Sequence, residues 1–107
     1  MGDAARFYST PVPLGGQLAQ ASALSAVSWG AGRLDVFGAA NDHTIPYWWY
    51  DNGSGNFNTQ PEIVGDPYGP LLFPGTLTAL STGPNQLHLF AYGTDGTNIQ
   101  LLYWESQ

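Results

Sequence analysis

Ser25–Phe37 reads SAVSWGAGRLDVF, and Thr78–Phe90, 53 residues later, reads TALSTGPNQLHLF. Laid over each other, the two stretches superimpose Ala26 on Ala79, Ser28 on Ser81, Gly30 on Gly83, Leu34 on Leu87 and Phe37 on Phe90. The register continues to Asp42 on Asp95. With one further residue inserted, Tyr47–Asp51 (YWWYD) matches Leu101–Glu105 (LLYWE). A second match, at an offset of 50, lays Phe7–Gly15 (FYSTPVPLG) on Phe57–Gly65 (FNTQPEIVG). Self-similarity at a fixed period marks a repeat architecture, so the 107 residues hold two units of about 53.

Each unit reads as short β-strands. Alternating or apolar runs cover 23–29, 33–38 and 44–50, then 76–81, 86–92 and 98–104. Turn chemistry separates them at Gly30-Ala31-Gly32, Asn41-Asp42-His43, Asp51-Asn52-Gly53, Gly83-Pro84-Asn85 and Thr94-Asp95-Gly96, which predicts an antiparallel meander. The stretch 15–25 lacks a convincing apolar helical face and reads as a loop leading into a strand. The Phe57 segment supplies a fourth strand to the first unit, and the counterpart for the second unit is the Phe7 segment at the other end of the chain. The predicted fold is therefore all-β: a β-propeller built from four-stranded antiparallel blades, two blades per chain. Blade A covers about 18–60, and blade B about 70–107, completed by strand 6–10 of the same or a neighbouring chain. Two blades alone leave open edges and apolar faces, so the ring is expected to close by self-association. Three copies give six blades and four give eight; blade size and ring curvature favour the trimer. A fragment or a strained monomer is the alternative.

Composition narrows function. Two basic residues, Arg6 and Arg33, stand against eight acidic ones, for a net charge of −6. Nucleic acid and anionic membrane surfaces both reward Lys and Arg, so neither is an expected partner. Zero cysteines remove disulfides, thiol catalysis and thiolate metal sites. No apolar stretch approaches the roughly 20 residues that span a bilayer. The chain opens without a basic start and apolar run, so no secretory signal is read, which leaves cytoplasmic residence or non-classical secretion. Arg6 stands where a myristoylation pattern wants Ser or Thr, and Asn52-Gly53-Ser54 reads as turn chemistry rather than a glycosylation site.

A shallow sugar site needs an aromatic platform beside a few polar groups, and 14% of the residues are aromatic. The run Asp42-His43-Thr44-Ile45-Pro46-Tyr47-Trp48-Trp49-Tyr50 has that composition. Alternation sends Tyr47 and Trp49 to one face of the strand and Trp48 and Tyr50 to the other. Candidate ligand-binding residues are Trp29, Asp35, Asp42, His43, Tyr47, Trp48, Trp49, His88, Asp95, Tyr103 and Trp104. For each Trp, packing between blades is the competing role. For Asp42 and Asp95 it is an Asx turn, although Thr94-Asp95-Gly96-Thr97 resembles half of the Asp-box of sialidase propellers. His43 and His88 have no helical-spacing partner, so no metal or cofactor is expected. Asp35 and His88 are repeat partners on the second strand of each unit.

Glycosidases need two carboxylates about 5 to 9.5 Å apart in a cleft. Asp35, Asp42, Asp51, Glu62 and Asp66 read mostly as turn or loop residues, none in an apolar setting that would raise its pKa. No nucleophile elbow, phosphate loop or metalloprotease motif is present, so no enzyme is expected.

The elements Leu14-Gly15-Gly16, Ser28-Trp29-Gly30, Arg33–Phe37, Asn41-Asp42 and Tyr47–Trp49 resemble the blade pattern of fucose-binding β-propeller lectins of the Photorhabdus type. The resemblance covers nearly the whole chain and is closer in the first unit. The two-blade oligomeric layout is similar to that of the six-bladed Aleuria and Ralstonia lectins. The resemblance implies a multivalent lectin, with fucosylated or similar glycans as partners, bound at aromatic-lined inter-blade sites. The Arg/Glu sugar clamp of the six-bladed branch is missing: Asp35 or His88 stands on the second strand, and about Tyr47 or Leu101 on the third. The alternatives are a non-catalytic protein-interaction propeller and, behind it, a glycosidase-like enzyme. The linker 60–70, rich in Pro and Gly, is expected to lid one site and make the two sites per chain unequal.

Overall fold

The computed structural model describes residues 11–106 except 52, 54 and 59. The protein is all-β; the described residues form two antiparallel sheets with one 3-10 turn at Pro74–Thr76. Sheet I contains β1 (Ser25–Val27), β2 (Arg33–Phe37) and β3 (Ile45–Asp51) as a meander. Two short strands, β4 (Asn56–Phe57) and β5 (Glu62–Val64), lie one after the other along the outer edge of β3. The expected fourth strand is therefore present but broken, and it runs on through part of the stretch read as a linker. Sheet II contains β7 (Thr78–Gly83), β8 (Gln86–Thr94) and β9 (Ile99–Glu105), with β6 (Leu71–Leu72) continuing the line of β7 along β8. No strand among the described residues pairs with the outer edge of β9.

The repeat extends to local geometry. Gly32 (φ 74°) and Asn85 (φ 58°), 53 residues apart, occupy the same left-handed turn position, where an ordinary side chain is strained and Gly or Asn is not. The hydroxyl of Ser28 donates to the Gly30 carbonyl at 2.8 Å, and that of Ser81 donates to Gly83 at 2.9 Å. Asp42 accepts from the Thr44 N–H, and Asp95 from the Thr97 N–H, the same Asx turn twice.

Side chains alternate across each strand, so every sheet has two faces. The seam face of sheet I carries Val27, Phe37, Ile45 and Tyr47, and it packs on Ala79, Leu87, Leu89 and Ala91 of sheet II. Phe37, Ile45, Leu89 and Ala91 are buried there. The first strands of the two sheets touch, and the Ala79 N–H donates to Ser25 Oγ at 3.0 Å. The core is thus a single seam between sheets. Its limited depth shows in the radius of gyration, 15.2 Å, against about 13 Å for a compact domain of this length.

On the far face of sheet I, Trp48 is buried beneath residues 15–19, and its indole N–H donates to the Gly15 carbonyl at 2.7 Å. Leu18 covers Gly38, and the Ala19 N–H donates to the Ala39 carbonyl at 2.8 Å. The far face of sheet II is open. Leu80, Tyr92, Leu101 and Tyr103 are 42%, 53%, 67% and 48% exposed there. The strand 6–10 expected to complete this sheet lies outside the described residues.

Candidate functional site

Where the two sheets part at the end of the seam they leave a cleft of about 280 Å³. Its walls are Arg33, Asp35 and Tyr47 from sheet I and Asn85, Trp104 and Glu105 from sheet II. Arg33 and Asp35 lie two apart on β2, so their side chains leave the same face. The guanidinium makes a forked pair of bonds to the carboxylate, Nε to Oδ2 at 3.2 Å and Nη2 to Oδ1 at 3.0 Å. Asp35 is fully buried, whereas the Arg33 side chain is 21% exposed. Such charge-assisted forks are directional as well as strong, so both groups are fixed at the cleft wall.

Arg33 also sits over two indoles, 5.0 Å from the Trp29 ring centre and 5.6 Å from that of Trp49. These cation–π contacts tie Trp29 and Trp49 to the cleft through Arg33. The Trp29 indole N–H is buried and has no acceptor among the described residues. Tyr47 stacks on Phe37 at 5.2 Å. Burial, then the negative charges of Glu62 and Asp35, push its hydroxyl above the usual tyrosine range, so it remains a neutral hydroxyl able to donate.

Of the eleven candidate residues, Asp35, Tyr47 and Trp104 line the cleft, while Trp29 and Trp49 flank it. Trp48 faces the other way, toward Gly15. His88 and Tyr103 lie on the far face of sheet II, ring centres 5.9 Å apart. There Tyr103 Oη donates to Glu105 at 3.1 Å and lies 2.7 Å from His88 Nδ1, while Thr82 Oγ1 lies 2.9 Å from His88 Nε2. Lost hydration, then Glu105, hold the Tyr103 hydroxyl above its usual range.

Asp42, His43 and Asp95 sit in turns away from the cleft. Asp42 bonds to the Thr44 hydroxyl, which is the main cause of its lowered pKa. Asp95 is lowered by the backbone N–H groups of Asn98 and then Thr97. His43 (φ 71°) lies with Nδ1 3.1 Å from the Gly69 carbonyl. Among the described residues no group of three or more His, Asp or Glu side chains could hold a metal.

Two readings of the sequence change. Asp35 stands on the second strand, as read from the repeat, but the reading that no carboxylate has an apolar setting does not hold for it: the residue is fully buried on the strand face that carries Phe37, with Arg33 supplying the opposite charge. The 60–70 stretch does not act only as a cover, since Glu62–Val64 pair with β3 and Val64 lines the cleft. Sequence reasoning passed over Arg33, Asn85, Glu105 and Ser106 as cleft residues. The signal for Arg33 was its place two residues from Asp35 on a strand, in a chain with only two basic residues.

No family model matches this chain, and no curated protein or solved structure matches it either.

Proposed function

We propose that the protein is a non-catalytic lectin that holds a monosaccharide, fucose or a relative, in the cleft between its two sheets. In this reading the sheets are propeller blades, and three copies close a six-bladed ring that multiplies a weak site into avid binding. One observation carries the proposal: a preformed cleft pairs an aromatic wall, Tyr47 and Trp104, with a fixed polar pair, Arg33 and Asp35. A pyranose presents an apolar C–H face and a rim of hydroxyls, which need those two kinds of surface. The volume, about 280 Å³, lies at the small end of ligand sites, a scale that suits one sugar ring. The Arg33 fork leaves Asp35 little freedom to serve as one of the two carboxylates that hydrolysis requires.

A panel of immobilised monosaccharides tests this, followed by calorimetry on the best ligand. Trp104→Ala and Arg33→Ala should each weaken binding by roughly tenfold or more, the effect of losing about 1.4 kcal/mol. Silence across the whole panel would overturn the lectin. Release of nitrophenol from an aryl fucoside would overturn its non-catalytic character, and a solution mass of four chains would overturn the six-bladed count.

A further inference from the structure

The two Asx turns, one in each sheet, differ at a telling position. Both carry a left-handed residue directly after the aspartate: Gly96 (φ 96°) in sheet II and His43 (φ 71°) in sheet I. Left-handed backbone suits glycine and strains a residue with a Cβ. Glycine serves this turn in the second unit, so His43 carries a strain that the turn itself does not require. Its ring is fixed as well. Nδ1 lies 3.1 Å from the Gly69 carbonyl, which can only accept, so Nδ1 holds the hydrogen and Nε2 of the neutral ring is left as an acceptor.

His43 stands at the end of the seam opposite the cleft. Arg33 and Gln86 begin β2 and β8 at the cleft end, and the turns of His43 and Asp95 follow the other ends of those strands. Here a second hollow of about 450 Å³ opens, walled by His43, Tyr68, Pro70, Leu71, Thr94 and Asp95. It shares no lining residue with the cleft. Tyr68 is 94% exposed, yet its turn is braced: Asp66 accepts from the Tyr68 N–H through its carboxylate and from the Gly69 N–H through its carbonyl, each at 2.9 Å. Pro67 and Pro70 flank the pair and stiffen it further. An aromatic ring is thus held out at the rim of a polar hollow.

The polar groups of this hollow are mostly acceptors. One oxygen of Asp95 takes the turn N–H groups of Thr97 and Asn98, and the other has only Gln100 Nε2 at 3.5 Å. These turn bonds lower the Asp95 pKa, so the carboxylate is charged. Arg33, the one Lys or Arg among the described residues, is at the far end of the seam. A negative charge with no fixed cation beside it, next to an aromatic face, suits an ammonium group. Tyr68, Pro70 and Leu71 add an apolar surface that a bare cation would not use.

We propose that this hollow is a second binding site, for an amino sugar whose ammonium group meets Asp95 and His43 and whose ring lies on Tyr68. It stands apart from the monosaccharide cleft and does not depend on the reading given to that cleft.

Amide NMR titration of the full chain with glucosamine tests this at about pH 7, where such an amine is mostly protonated. Shifts should concentrate at His43, Tyr68, Gly69 and Asp95. N-acetylglucosamine, which lacks the charge, and butylamine, which lacks the ring, should each bind at least about tenfold more weakly. Asp95→Asn keeps the turn acceptor but removes the charge, and should also cost about tenfold or more in affinity. His43→Gly installs the residue that the second unit uses, so it should weaken glucosamine binding without lowering the midpoint of thermal unfolding. Should H43G not fold, Tyr68→Ala at the exposed ring replaces it, with the same loss expected. Silence toward glucosamine, equal affinity for N-acetylglucosamine or butylamine, or full affinity in D95N overturns the proposal. Displacement of glucosamine by fucose would place both in one site and overturn it too. Silence toward fucose alone defeats the cleft reading and leaves this result standing.

Discussion

The two sheets share a repeat, a meander and even individual turn hydrogen bonds, but they keep different company. In sheet I the seam face is occupied, burying Phe37 and Ile45, and the far face is covered in part, residues 15–19 lying over Trp48 while Leu34 stays exposed. In sheet II one face is occupied and the other is open. Residue type does not explain the contrast, because Ile99 is as apolar as Ile45, and Leu101 lies open where Tyr47 is half-buried. Burial here is a property of neighbours. An apolar residue in a repeat reports the face that a unit intends to cover, and tertiary context decides whether it is covered.

The largest predicted effect comes from placing one charge at the two equivalent positions. Measured at high dilution, Ile45→Asp should cost about 4 kcal/mol of unfolding free energy, because a carboxylate is buried without a partner. Ile99→Asp should stay within about 0.5 kcal/mol. Urea denaturation measures both, and similar losses would show the far face of sheet II to be covered within one chain. Next is the polar pair. Asp35→Ala strands the Arg33 guanidinium against two indoles and should cost about 3 kcal/mol, with loss of the sugar. His88→Ala, at the repeat-equivalent position, should cost under about 1 kcal/mol and leave the in-chain cleft able to bind. Thermal unfolding with and without ligand would reveal any equality between the two.

A smaller change follows at the covered far face. Trp48→Phe keeps the ring but removes the hydrogen bond to Gly15, worth about 1 kcal/mol, and should speed amide exchange at Ala19. Unaltered exchange there would mean that the Gly15 contact does not hold the segment down. The smallest effect is in acid. Asp42 and Asp95 both titrate below the usual carboxylate range because their charged forms accept turn hydrogen bonds. Their contribution is complete above about pH 4, the ordinary aspartate value. It is lost as pH falls through the lowered folded value. Asp42→Asn and Asp95→Asn should each flatten the acid limb of the stability profile by a similar amount. A response in only one of them would break the equivalence of the two turns.

Much of the fold is legible in the sequence because the repeat is visible and turns are written in a few residue types. Gly32 and Asn85 mark the same left-handed turn, and the strand boundaries read from such marks fall within a few residues of those found. The broken outer strand was harder to see. Gln60 and Pro61 interrupt it, and proline removes a ladder donor, so β5 reads as linker. The site was only partly legible. Alternation correctly separates Tyr47 and Trp49 from Trp48. The cleft, however, is made by Asn85 and Glu105 coming from the opposite sheet, and no spacing rule links residue 33 to residue 105. Arg33 was passed over because its partner is Asp35 on its own strand, while its aromatic contacts come from a loop and a neighbouring strand.

Asn58 stands at the break in the outer strand of sheet I. Its side-chain oxygen accepts from the Trp49 N–H at 2.8 Å, and its amide donates to the Gln60 carbonyl at 2.6 Å. A side chain thus takes the place of main chain where the outermost ladder is interrupted, leaving two short pieces instead of one regular rim. Fibrillar growth requires a long rim with its N–H and C=O groups in step. Asn58 therefore makes the outer edge of sheet I a poor template for cross-β stacking, a safeguard that the unbroken seven-residue edge of β9 does not share.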